Sequence, residues 1–137
     1  MNNRLLVIAG VAVGSILAVW LSRSPSQRLA SAGPMAVVSV PELSTQEQRG
    51  RAAFEANCAS CHGRNAAGRQ GIAPPLVHNI YEPDHHANAA FQIAVSNGVR
   101  QHHWTFGSMP RVEGVTGGEV RDITAYVRAL QRESRIQ

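Results

Sequence analysis

No lysine occurs among the 137 residues of this chain, so all thirteen basic side chains are arginine and any basic surface is built from guanidinium groups. Charge is sparse as well. From Thr45 onward ten arginines stand against eight acids, a balance too weak to argue for nucleic acid as a partner. No segment alternates as a strand and no internal repeat is present, which points away from a β fold or a solenoid. Cysteine is limited to two residues, so a zinc site built from two cysteine pairs is excluded, and no histidine besides His62 falls at a finger spacing.

What is there begins with the run Cys58-Ala59-Ser60-Cys61-His62. Two thiols separated by two residues, with an imidazole next to the second, read as an attachment site for one haem c. The sulfurs of Cys58 and Cys61 can each add to a vinyl group on one edge of the macrocycle, and His62 is then held beneath the iron as the proximal ligand. A dithiol oxidoreductase uses the same cysteine spacing. It needs a strand, helix, strand context that the surrounding sequence does not offer.

The chain divides by composition into 1–22, 23–43 and 44–137. Leu5 to Leu21 is apolar, broken only by Gly10, Gly14 and Ser15, with Arg4 before it and Arg23 after it. At the short end of a bilayer span, this stretch is expected to be one N-terminal transmembrane helix acting as an anchor. A cleaved signal is the alternative, and Ala30-Ser31-Ala32 has the form of a cleavage site, although it lies far from the apolar run. Residues 23–43 are rich in Ser, Pro, Gly and Ala with no sustained period, and read as a flexible linker.

The remainder reads as helical. Ser44 with Glu47 forms a capping box, so a first helix is expected to run to about Asn57, with Gly50 and Phe54 on one face that continues to Cys58. Thr116 with Glu119 repeats the signal, and Val120, Ile123, Val127 and Leu130 follow at helical spacing with Tyr126 beside them. A close crossing of these two helices, with Gly50 at the contact and Phe54 and Tyr126 filling it, buries both faces. A shorter helix is expected over Ala87 to Asn97, closed by Gly98.

Motif, helix order and a late Met109-Pro110 together resemble a class I monohaem bacterial cytochrome c over about Thr45 to Gln131. The resemblance implies an all-α fold wrapped around one haem, which supplies much of the core that so small a domain lacks. It implies Met109 as the second axial ligand, so that the metal ligands are His62 and Met109. Met1 and Met35 fall in the anchor region, which leaves Met109 as the domain's candidate thioether. In Gly71-Ile72-Ala73-Pro74-Pro75-Leu76, the resemblance implies that the Pro74 carbonyl accepts the second ring proton of His62 and that Leu76 packs on the haem, although the paired prolines could be only a rigid turn. Trp104 either donates to a haem propionate or shields the haem edge.

His102 and His103 depart from the commonest members of this family. With His85 and His86 they could form a metal site if the two loops met, or they are solvated and bonded locally. Arg64, Arg69, Arg100 and Arg111 flank the expected haem-contacting loops and could dock an acidic partner. With both axial positions filled, no site is left for substrate, so the expectation is a one-electron carrier and not an enzyme. Its expected partners are a quinol-oxidising complex, a dehydrogenase, an oxidase or a reductase, and the membrane through the N-terminal helix. Export before haem attachment, as in bacterial cytochromes, implies a single-pass protein of the cytoplasmic (inner) membrane with its haem domain facing the periplasm. The alternatives are a fixed haem subunit of a larger oxidase or reductase complex, or a haem-based sensor in which Met109 is displaced.

Overall fold

The computed structural model describes residues 33–134. Among them are four α-helices, α1 (Thr45–Asn57), α2 (Ala59–His62), α3 (Asn88–Asn97) and α4 (Gly117–Glu133), with 3-10 turns at Arg64–Ala66 and Asn79–Tyr81. The described residues contain no strand. Isolated bridges between Arg69 and Ala73 and between Val99 and Met109 close two loops.

Both long helices begin where the capping boxes put them. The Ser44 hydroxyl accepts the Glu47 N–H while the Glu47 carboxylate accepts the Ser44 N–H at 2.8 Å. Thr116 and Glu119 repeat the arrangement at the head of α4, again at 2.8 Å. These reciprocal bonds satisfy amides that a helix start otherwise leaves without partners.

The expected crossing of the first and last helices is present, and glycine is what permits it. A Cβ on Gly50 would lie 1.9 Å from the Asp122 carbonyl oxygen, so no other residue fits without moving the backbones apart. One turn later Phe54 meets Tyr126, both fully buried, with ring centroids 5.8 Å apart and planes tilted by 59°. Such tilted pairs add about 0.5–1.5 kcal/mol beyond the area they bury. Ile123, Val127 and Leu130 of α4 complete the cluster with Ala66 and Val77 from the intervening loops. Arg49 with Asp122 at 2.9 Å and Arg132 with Glu47 at 3.0 Å rim the crossing. Both arginines are exposed, so these pairs contribute less than the packing beneath them.

The linker expectation changes from Gly33 onward, because the described residues from Gly33 on form one compact unit. Met35 and Ala36 both donate their N–H groups to the Ala67 carbonyl, at 2.9 and 3.0 Å. Ser39 donates its N–H to the Ser134 hydroxyl at 3.0 Å, and Val38 and Leu43 pack against the core. The composition of this stretch is linker-like and Val37 and Val40 stay exposed, but Val38 and Leu43 find the core and the amides of Met35, Ala36 and Ser39 find acceptors on the domain. Residues 33–43 are therefore a strap on the domain. The apolar run Leu5 to Leu21 and Ala30-Ser31-Ala32 lie outside the described residues. Among the described residues, no helix is long and apolar enough to cross a membrane.

Candidate functional site

α1 delivers the cysteine motif. Cys58 still donates its N–H to the Phe54 carbonyl at 2.8 Å, but its own φ of −120° leaves the helix, and the chain restarts as the single turn α2. The Cys58 carbonyl accepts from Cys61 at 3.1 Å and His62 at 2.9 Å, which folds Cys61 and His62 back over Cys58. Both thiols are free, Cys61 exposed and Cys58 half-buried against the core. Burial, and then the neighbouring Cys61, push the Cys58 thiol up to about 11. A redox dithiol needs the opposite shift, since the thiolate is its nucleophile.

His62 is fixed through its ring. Nδ1 lies 3.0 Å from the Pro74 carbonyl, and because a carbonyl can only accept, Nδ1 carries the proton and Nε2 keeps a free lone pair. Burial lowers the pKa of this imidazole, and the bond to Pro74 opposes that fall. The loop that returns Pro74 to His62 is itself pinned to the motif. Gly68 donates to the His62 carbonyl at 2.7 Å, Arg69 donates to the Ser60 carbonyl, and Leu76 donates to the Ala66 carbonyl at 2.9 Å. Arg69 thus serves the motif loop, and Arg111 pairs with Glu113, while Arg64 and Arg100 are exposed.

Met109 is positioned by its backbone. It exchanges two hydrogen bonds with Val99, each 2.9 Å, and a Cβ on Gly98 would sit 2.5 Å from the Met109 carbonyl oxygen. Gly98 also has φ +74°, so the close approach and the left-handed turn both call for glycine. Met109 is not the domain's one thioether, as the sequence had suggested, because Met35 belongs to the docked strap. Its side chain lines a cavity of about 490 Å³ with Val37, Pro75, Val77, His78 and Trp104. None of Cys58, Cys61, His62 and Met109 lines that cavity.

Trp104 stacks on Phe106 with centroids 5.7 Å apart and meets His78 edge-on at 5.3 Å. Its indole N–H is buried and has no acceptor among the described residues. Burial raises the Tyr81 phenol's pKa and the nearby indole partly offsets this, yet no bond of acceptable geometry reaches the Trp104 N–H. A buried donor without an acceptor is costly, and a carboxylate would relieve it.

Sequence reading missed the tie between the 76–88 loop and α4. Arg128 is buried on the helix, where its guanidinium donates to the carbonyls of Tyr81 and His86, each at 2.5 Å, to Asn88 Oδ1 at 2.9 Å and to Gln131 Oε1 at 2.7 Å. Gln131 in turn donates to the Leu76 carbonyl at 2.8 Å. Burial lowers the Arg128 pKa, with Glu82 opposing. The signal was a pair of polar residues set into the apolar stripe of α4, which reads equally as a solvated edge. Of the four loop histidines, His86, His102 and His103 come together, with His85 beside His86. Local desolvation, and then His102, His86 and His85, lower the pKa of His103.

The family model for cytochrome c matches residues 47–131, more than half of the chain. The chain belongs to the cytochrome c family. Searches of the curated proteins and of the solved structures each returned no match. Family membership brings covalently bound haem c and haem-based electron transfer, with Cys58 and Cys61 in the attachment pattern. The donor set of this cytochrome fits that group. It offers two free thiols, one imidazole with its Nε2 lone pair available, and a buried indole N–H in want of an acceptor.

Proposed function

We propose that the chain is a membrane-tethered, one-electron carrier whose single haem is joined to Cys58 and Cys61 and ligated by His62 and Met109. The reading rests on His62, which gives its Nδ1 proton to Pro74 at 3.0 Å in a chain of the cytochrome c family. That bond leaves one nitrogen for the iron and prevents the ring from turning. The haem supplies Fe(III)/Fe(II) cycling. Gly98 and Val99 hold the Met109 backbone, Leu76 packs against the apolar core, and Trp104 has an N–H to give to a propionate. With haem bound, a thioether from Met109 together with the His62 imidazole would raise the potential relative to two imidazoles and would leave no position for substrate.

The apolar Leu5 to Leu21 supports a leash in the cytoplasmic membrane, with the haem domain in the periplasm between a quinol-oxidising complex or dehydrogenase and an oxidase or reductase. Optical spectra of the detergent-extracted holoprotein test the ligation. A sulfur-to-iron charge-transfer band with no carbon monoxide uptake by the ferrous form is expected, and Met109→Ala should abolish the band and admit carbon monoxide. If Met35→Ala does this and Met109→Ala does not, the ligand is Met35. Rapid carbon monoxide binding by the unaltered protein would remove the carrier reading and favour a sensor.

A further inference from the structure

We propose that His86, His102 and His103 bind one divalent transition-metal ion, copper(II) or zinc(II), at a site that is separate from the haem ligands. The family relationship and the haem reading assign no role to these residues. They come from two loops far apart in sequence, yet one ligand nitrogen from each lies within 4.8 Å of the other two. The ring centroids of His102 and His103 are 4.2 Å apart, and that of His86 is 5.6 Å from His103 and 6.4 Å from His102.

The second-sphere bonds are those a metal site needs. His86 Nδ1 lies 2.5 Å from the Ile80 carbonyl and His102 Nδ1 lies 2.8 Å from the Arg100 carbonyl. Carbonyls accept, so both rings carry their proton on Nδ1 and keep Nε2 free as a ligand. A backbone carbonyl on the far nitrogen is the common way a ligating histidine is oriented. His103 is exposed, which leaves room for the small side-chain rotations that would bring the three nitrogens to the roughly 2.0–2.1 Å metal distance of an imidazole site.

Both supporting loops are braced. Arg128 holds the His86 carbonyl. The Val99 and Met109 bridge closes the second loop, and across it Gly107 donates to the Gln101 side chain at 2.8 Å. Three imidazoles without a thiolate or carboxylate suit copper(II) or zinc(II), copper(II) the more tightly, and leave at least one coordination position open. An ion there would link the 76–88 loop to the loop that carries Met109.

The test uses haem-loaded protein stripped with a chelator and titrated with zinc(II) in a calorimeter, then with copper(II) followed by electron paramagnetic resonance. One equivalent of zinc should bind, imidazole nitrogen couplings should appear on copper, and His103→Ala should weaken binding by at least about tenfold. His103 is exposed, so that variant should keep the unaltered haem spectrum, and His86→Ala provides a second loss. His85→Ala should bind as the unaltered protein does. Absence of saturable binding, affinity unchanged in His103→Ala, or an equal loss in His85→Ala would each overturn the proposal.

Discussion

The α1–α4 crossing and the loops between the helices are held by different forces, and the chemistry lies where the two meet. At the crossing, stability comes from apolar contact at close range, with Gly50 against Asp122 and Phe54 against Tyr126. In the loops the buried apolar side chains are mostly small, Ala66, Ala67 and Ala73 with Val77, and shape is kept by directed bonds such as Arg128 to the carbonyls of Tyr81 and His86. Packing is tolerant of which apolar residue is used but not of volume at a contact. Directed bonds are tolerant of nothing at the donor, yet their loss is local. Cys58 ends the packed helix and His62 opens the bonded loop, so the motif draws rigidity from one and orientation from the other.

The sharpest break is Gly50→Ala. Alanine is the better helix former by about 1 kcal/mol, which alone would predict stabilisation. The clash wins, because a Cβ 1.9 Å from the Asp122 oxygen meets backbone that cannot rotate away. A net loss of about 3 kcal/mol is expected in the unfolding free energy of the holoprotein, with both helices affected. Unchanged stability would mean that the helices separate more easily than the contact implies.

Arg128→Met keeps volume and removes the directed bonds. A loss of about 2 kcal/mol is expected, since carbonyls of Tyr81 and His86 lose a charged donor. Its pattern should differ from that of Gly50→Ala. Amides of the 76–88 loop should exchange hydrogen faster while those of α1 stay protected, and a uniform rise in exchange would erase the distinction between the two regions.

Legibility in the sequence follows the same division. Capping boxes and the stripe of α4 are local patterns, so the helices and their crossing could be read directly from Ser44, Glu47, Thr116, Glu119, Gly50 and Phe54. The cysteine motif is as local, and so is the Pro74 partner of His62 once the cytochrome c resemblance is seen. Nothing local marked Met35 as part of a docked strap, because its bonds to Ala67 depend on where the motif loop ends up. Nor could the paired histidines be brought together before Arg128 was known to fix their loop.

The smallest expected effect separates the two capping boxes. Glu47 and Glu119 both have their pKa lowered from 4.5, each first by the N–H of its cap residue and next by that residue's hydroxyl. A carboxylate whose folded pKa lies below its unfolded value stabilises at pH above the unfolded value, and that stability disappears as pH falls through the folded one. Glu47 alone also reaches across the crossing to Arg132, at 3.0 Å, so it serves the packed region and its own helix end together. Thermal unfolding of the oxidised holoprotein from pH about 7 to about 3 should therefore show a shallower acid decline in Glu47→Gln than in Glu119→Gln. Glutamine can keep the cap bond but not the charge, so the two variants should be nearly as stable as the unaltered protein at the acid end. Equal slopes for both would assign the whole effect to the helix ends and none to the crossing.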